Sequence, residues 1–120
     1  VKPETAFINS IHKKLKLAKP SILIRKTSDR FNQGWPDVLY IGPFRKTLWV
    51  EYKIYPNKLS KMQEHTIYQL TNYDQHIAVI TKHPNEITLT DYLVHPTYSI
   101  ELTNPAKWIM FELDTNENTH

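Results

Sequence analysis

The 120-residue chain has no cysteine, only two glycines and no apolar run of membrane-spanning length. Without thiols, neither a disulfide nor a thiolate zinc site can staple the fold, and a cysteine nucleophile is excluded. A reducing compartment is permitted. Gly34 and Gly42 cannot build a glycine-rich phosphate loop, which removes the nucleotide-hydrolysing motors. The six histidines (His12, His65, His76, His83, His95, His120) show no His-Glu-x-x-His spacing, so a zinc hydrolase of that kind is not expected. No Gly-x-Ser-x-Gly elbow occurs either. With no apolar stretch of roughly 18 residues and no signal-like core, no membrane partner is expected.

Acids are scarce in the first half. Residues 1–61 hold 13 of the 15 Lys and Arg against four acids (Glu4, Asp29, Asp37, Glu51), a balance of +9, whereas residues 62–120 hold two lysines against eight acids, a balance of −6. A partner rich in phosphate explains a basic half in which acids survive at few positions. The alternative is an ordinary solvated helix face together with chance.

What is present centres on residues 34–53. Two apolar runs, Val38 to Ile41 and Thr47 to Tyr52, flank the five-residue link Gly42 to Lys46, which predicts an antiparallel hairpin. If the link closes on Phe44, Ile41 meets Thr47, Leu39 meets Trp49 and Asp37 meets Glu51, with facing Cβ atoms roughly 4.5–5.5 Å apart. Two bare carboxylates that close repel and raise each other's pKa, so the pairing makes sense around a hard divalent cation. Alternation sets Glu51 and Lys53 on one face while Leu48, Val50 and Tyr52 point into a core.

The run Pro36-Asp37, hairpin, then Glu51-Tyr52-Lys53 resembles the PD-(D/E)XK nuclease signature. With Gly34 ahead of it and Gln63 after it, the chain is most similar to the small stand-alone VRR-NUC nucleases of phages and bacteria, over about Glu4 to Leu70. The resemblance implies a restriction-endonuclease-like α/β core, a mixed central sheet flanked by helices in the order αβββαβ. It also implies a cytoplasmic, structure-selective endonuclease acting on branched DNA such as four-way junctions. Less selective or restriction-type cleavage, and a non-catalytic DNA-binding module, are the alternatives. In that setting Asp37, Glu51 and the Tyr52 backbone carbonyl are candidate ligands for Mg²⁺, with Mn²⁺ as a substitute. Lys53 is the candidate ammonium beside the nucleophilic water or the pentavalent phosphate, or else a surface lysine ending a strand. Cutting two symmetry-related strands requires two sites and hence a homodimer, with Trp108, Phe111 and Tyr98 as interface candidates. The candidate DNA contacts are Lys13, Lys16, Arg25, Lys26, Arg30, Arg45, Lys46, Lys58 and Lys61.

Elsewhere, Pro3 and Glu4 suit the first turn of a helix, and Glu4, Phe7, Ile8, Ile11 and Leu15 fall on one stripe. Glu4 is then either a dipole partner or, as the resemblance implies, an acid supporting the metal site. Lys19-Pro20 ends that helix, Ser21 to Lys26 reads as a strand, and Asp29 and Arg30 lie in a polar loop. Ser60 and Gln63 have capping-box spacing, which predicts a helix over 61–73 packed through Met62, Thr66, Ile67, Leu70 and Tyr73. Gln63 is either the reciprocal cap or a glutamine facing the metal site. His76 to Thr81 reads as a central strand parallel to an earlier one, Glu86 to Thr90 and Tyr98 to Leu102 as short strands, and Pro105 to Leu113 as a helix. Residues 1–113 are read as a single domain and 114–120 as a polar tail.

Overall fold

The computed structural model describes residues 1–27 and 33–114; Asp29, Arg30 and the tail beyond Asp114 lie outside the described residues. Elements follow as α1 (Pro3–Ala18), β1 (Leu23–Lys26), β2 (Val38–Ile41), β3 (Thr47–Ile54), α2 (Lys61–Asn72), β4 (Ile77–Lys82), β5 (Ile87–Asp91), β6 (Ile100–Glu101) and α3 (Pro105–Asp114). The six strands form one mixed sheet in sequence order. Only β3 and β4 run parallel, because α2 carries the chain back between them. The first six elements therefore follow the predicted αβββαβ order, and helices cover both faces.

Alternation along β2 and β3 sends Val38, Tyr40, Leu48, Val50 and Tyr52 to one side, where Phe7, Ile11 and Leu15 of α1 and Ile109 and Leu113 of α3 close over them. The opposite side holds a smaller cluster of Ile67 and Leu70 from α2 against Ile77 and Val79. Burying each such side chain contributes about 1.5–3 kcal/mol before entropy is counted. The larger cluster therefore anchors the fold, while the thinner layer under α2 leaves room for polar side chains. Pro3 takes the first helical position of α1, and α2 opens with a reciprocal capping box between Ser60 and Gln63.

The hairpin register pairs Val38 with Val50, Leu39 with Trp49 and Ile41 with Thr47, as the sequence predicts. Its link turns at Phe44 and Arg45, with φ of 61° and 62° in the left-handed region that glycine usually fills. Gly34, at φ +88, is required for a second reason: a Cβ there would sit 2.5 Å from Met62 Cγ. That close approach ties the loop before Asp37 to the start of α2.

Several boundaries differ from expectation. Strand β1 starts at Leu23 rather than Ser21, because Leu23 already pairs with Ile41 and the chain of β2 turns away at Gly42, so Ser21 and Ile22 have no partner. Strand β6 shrinks to two residues, since Tyr98 stacks on His95 and its carbonyl faces the His95 ring. Met62 and Tyr73 are exposed, not part of the packed stripe of α2: they occupy the helix ends, beyond the small cluster that only Thr66, Ile67 and Leu70 reach. Asp114 belongs to α3 and pairs with Lys19 at 2.8 Å, rather than opening the tail. Among the described residues, no helix is long and apolar enough to cross a membrane.

Candidate active site

The ladder between β2 and β3 stops where Pro36 enters it. In the observed register Tyr52 would face Pro36, which has no N–H to donate to the Tyr52 carbonyl. The Tyr52 N–H, pointing the same way, instead donates to Asp37 Oδ2 at 2.8 Å. The Pro36 carbonyl accepts from Thr27 Oγ1, and the Asp37 carbonyl accepts from the Thr27 N–H at 2.8 Å. Asp37 is thus fixed through its backbone to β1 and through its side chain to β3, and only 7% of its surface is exposed.

One register step beyond Val38 and Val50, Glu51 lies across from Asp37 at a pair of the type in which side chains approach most closely. Glu51 is 2% exposed. Its Oε2 accepts from Gln63 Nε2 at 2.9 Å and lies 3.4 Å from Lys53 Nζ. Its Oε1 is the buried side-chain polar atom without a hydrogen-bond partner among the described residues. Burial, then the charge of Asp37, pushes the Glu51 carboxyl up to about 8; Lys53 opposes this rise and Glu4 adds to it. Glu4, at the first turn of α1, is half-buried. Its own carboxyl is raised by burial and by Asp37 and lowered by Lys53 and Lys2, so it senses the same cluster.

Gln63 makes the reciprocal cap and touches Glu51 with one side chain. Its Oε1 accepts from the Ser60 N–H at 2.8 Å, completing the cap, while its Nε2 reaches Glu51. The first turn of α2 is thereby bolted to the carboxylate cluster.

The basic residues divide into groups. Lys13, Lys16 and Lys26 line, with Asn9 and His12, a cavity of about 490 Å³ between α1 and β1, whereas Arg25, also exposed, alternates to the other face of β1. Lys58, in the link from β3 to α2, and Lys61, the first residue of α2, are both exposed. Arg45 and Lys46 sit at the hairpin tip, five residues back along β3 from Glu51, or roughly 17 Å of extended chain. They do not adjoin the carboxylates. Arg30 lies outside the described residues. Of the interface candidates, Tyr98 and Phe111 are exposed, whereas Trp108 packs on the core and edge-on against His76.

Two polar arrangements escaped the sequence reading. His12 Nε2 hydrogen-bonds Tyr40 at 2.8 Å, and Tyr40 bonds Tyr52 at 2.7 Å, inside the main core. Burial, then Lys26 and Lys16, lowers the His12 pKa to about 4, so the ring is neutral. A signal existed, since His12 follows Ile8 by four residues on the buried stripe of α1. The second arrangement joins His76 Nε2 to Asp91 at 2.9 Å and His76 Nδ1 to Glu112 at 3.9 Å. One donor atom from each of the three lies within 4.8 Å of the others. Nothing local marks this cluster, because its members come from the entries or bodies of three separated elements.

A cation fits the first cluster. A buried carboxylate with an oxygen unpaired among the described residues and a second carboxylate raising its pKa, with the Lys53 ammonium at 3.4 Å, form an oxygen-rich site for a cation. All the candidate donors are oxygens, which suits Mg²⁺ or Mn²⁺ rather than a soft metal.

The chain matches no protein-family profile and no curated protein. Among solved structures, the Holliday junction resolvase Hjc of Archaeoglobus fulgidus superposes with a TM-score of 0.48 at 15% identity, over 82% of this chain and 94% of that one. At that score the likeness carries no weight of its own.

Proposed function

We propose that this chain is a divalent-metal-dependent nuclease of the PD-(D/E)XK type that hydrolyses phosphodiester bonds in DNA. The observation that carries the proposal is the Glu51 carboxylate, buried beside Asp37 with one oxygen unpaired and its pKa raised. Asp37 and Glu51 would hold the ion, with the Tyr52 carbonyl as a third oxygen that Pro36 leaves without a backbone donor. Bound there, the ion supplies Lewis-acid polarisation of a phosphodiester and acidification of water.

The chain's own groups do the rest. Lys53, 3.4 Å from Glu51, sets its ammonium where charge builds on a phosphate under attack. Gln63 holds Glu51 in one orientation through Nε2, and Tyr52 holds Asp37 through its N–H. Glu4 adds negative charge that strengthens the demand for a cation. The lysines of the α1–β1 cavity, with Lys58 and Lys61, supply the phosphate contacts on which affinity depends.

Selectivity for branched DNA and a homodimeric assembly rest on the VRR-NUC resemblance carried by Gly34, Pro36-Asp37, Glu51-Tyr52-Lys53 and Gln63. The test is a panel of end-labelled DNAs (linear duplex, single strand, flap, four-way junction) incubated with Mg²⁺ or Mn²⁺. Symmetric nicks at the four-way junction are expected. Even degradation of every substrate would remove the selectivity, and no cleavage of any of them would remove the enzyme.

A further inference from the structure

Beyond Lys53 the chain builds a feature that the carboxylate cluster does not use. Ile54 pairs with Lys82, and the Tyr55 N–H donates to the Lys82 carbonyl at 2.9 Å, so Tyr55 and His83 emerge side by side from the ends of two parallel strands. Their rings lie 5.1 Å apart at 34°. His83 is pinned from the far side by Thr88 Oγ1 at 3.0 Å and by its own N–H on the Glu86 carbonyl at 2.8 Å. Tyr55 is 57% exposed, so the face of its ring turned away from His83 is open to solvent. Together with Lys82 and with Pro3 and Ala6 of α1, the pair borders a cavity of about 290 Å³.

That cavity lies where α1 begins: Pro3 precedes Glu4, whose carboxyl feels Asp37 and Lys53. Its volume is just under the roughly 300–1,000 Å³ typical of ligand sites, a scale that suits a ligand of one nucleotide. An aromatic shelf beside a lysine is the chemistry that takes an unstacked base and its phosphate, and a base inside a duplex cannot reach it.

We propose that this cavity seats one unpaired nucleotide next to the phosphodiester held at the carboxylates, its base on the open face of Tyr55 and its phosphate at Lys82. The proposal rests on the nuclease reading and narrows it to substrates with an unpaired position at the cut.

The test measures binding in chelator, so that no cleavage intervenes, on two duplexes that differ by a single unpaired 2-aminopurine. The wild-type protein should bind the unpaired DNA about tenfold more tightly, the size of one base–aromatic stack, and quench the 2-aminopurine. Tyr55→Ala should erase that preference, and Tyr55→Phe should keep it. Equal binding of both DNAs by the wild type, unquenched 2-aminopurine, or a preference that survives Tyr55→Ala would each overturn the proposal while leaving the nuclease reading intact. Failure of the wild type to bind either DNA would overturn both.

Discussion

Glu51 and Asp91 are both buried carboxylates on strands of the same sheet, yet their surroundings drive them in opposite directions. Burial pushes the Glu51 carboxyl up, and Asp37 adds to the rise, more than Lys53 offsets. Burial also works on Asp91, but the hydrogen bond and charge of His76, the Leu93 N–H and His95 outweigh it and leave the carboxyl below its ordinary value. At Asp91 hydrogen bonds from His76 and the Leu93 N–H satisfy the carboxylate, whereas at Glu51 one oxygen has no partner among the described residues.

The largest way to break that contrast is to remove the charge at the first cluster. Glu51→Gln or Asp37→Ala should lower cleavage by roughly 10³-fold or more, while DNA affinity stays within about tenfold, because phosphate contacts come from Lys and Arg. Full activity in either variant, read on labelled DNA, would take that residue out of the mechanism.

At the second cluster the loss should appear in stability instead. Asp91→Ala strips His76 of its near partner and should cost about 3 kcal/mol in denaturant unfolding. Cleavage per folded molecule should not change. A variant as stable as the wild type would show that this knot contributes nothing.

Metal should distinguish the clusters again. At pH 8, Mg²⁺ at a hundred times its dissociation constant should stabilise the wild type by about 2.7 kcal/mol and leave Glu51→Gln unmoved. Activity lost in EDTA should return with Mg²⁺ or Mn²⁺, and cleavage that survives chelation would point to a metal-free phosphodiesterase.

The pH dependence of the metal-free protein sharpens the comparison further. The Glu51 carboxyl titrates at about 8 in the folded chain against 4.5 when unfolded, so its cost is complete above pH 8 and fades as pH falls toward 4.5. Asp91 behaves oppositely: its contribution is complete above its unfolded value of 3.8 and is lost as pH falls through the lower folded value. Melting curves should therefore show Glu51→Gln gaining most over the wild type at pH 8, with the gain vanishing near pH 4.5. A gain that is flat with pH would remove the raised pKa.

The smallest effect concerns the basic cavity. Lys13→Gln with Lys26→Gln should weaken DNA binding several-fold and reduce the log–log salt slope by roughly one per lysine. The same pair of changes at Arg45 and Lys46, at the far end of the hairpin, should do less.

Much of this was legible in the residues themselves. Two apolar runs, 38–41 and 47–52, with a five-residue link between them, determined the hairpin register, and the alternation of strand side chains then set which side of β3 each residue occupies. Ser60 and Gln63 announced the start of α2 through capping chemistry that needs only four adjacent residues. The strand lengths of β1 and β6, by contrast, depended on where their partners end, and the exposure of Met62 and Tyr73 depended on how far a small cluster reaches.

The sequence by itself determined the acids, their facing positions and the lysine two residues beyond, since these follow from local periodicity and one short link. Only the tertiary structure decided that Glu51 would be buried with an oxygen left over, that Gln63 would reach it while still capping its helix, and that His76 would find Asp91 and Glu112. Those contacts join groups far apart along the chain, and their energetics depend on how much water the packed layers exclude, a quantity that no local pattern encodes.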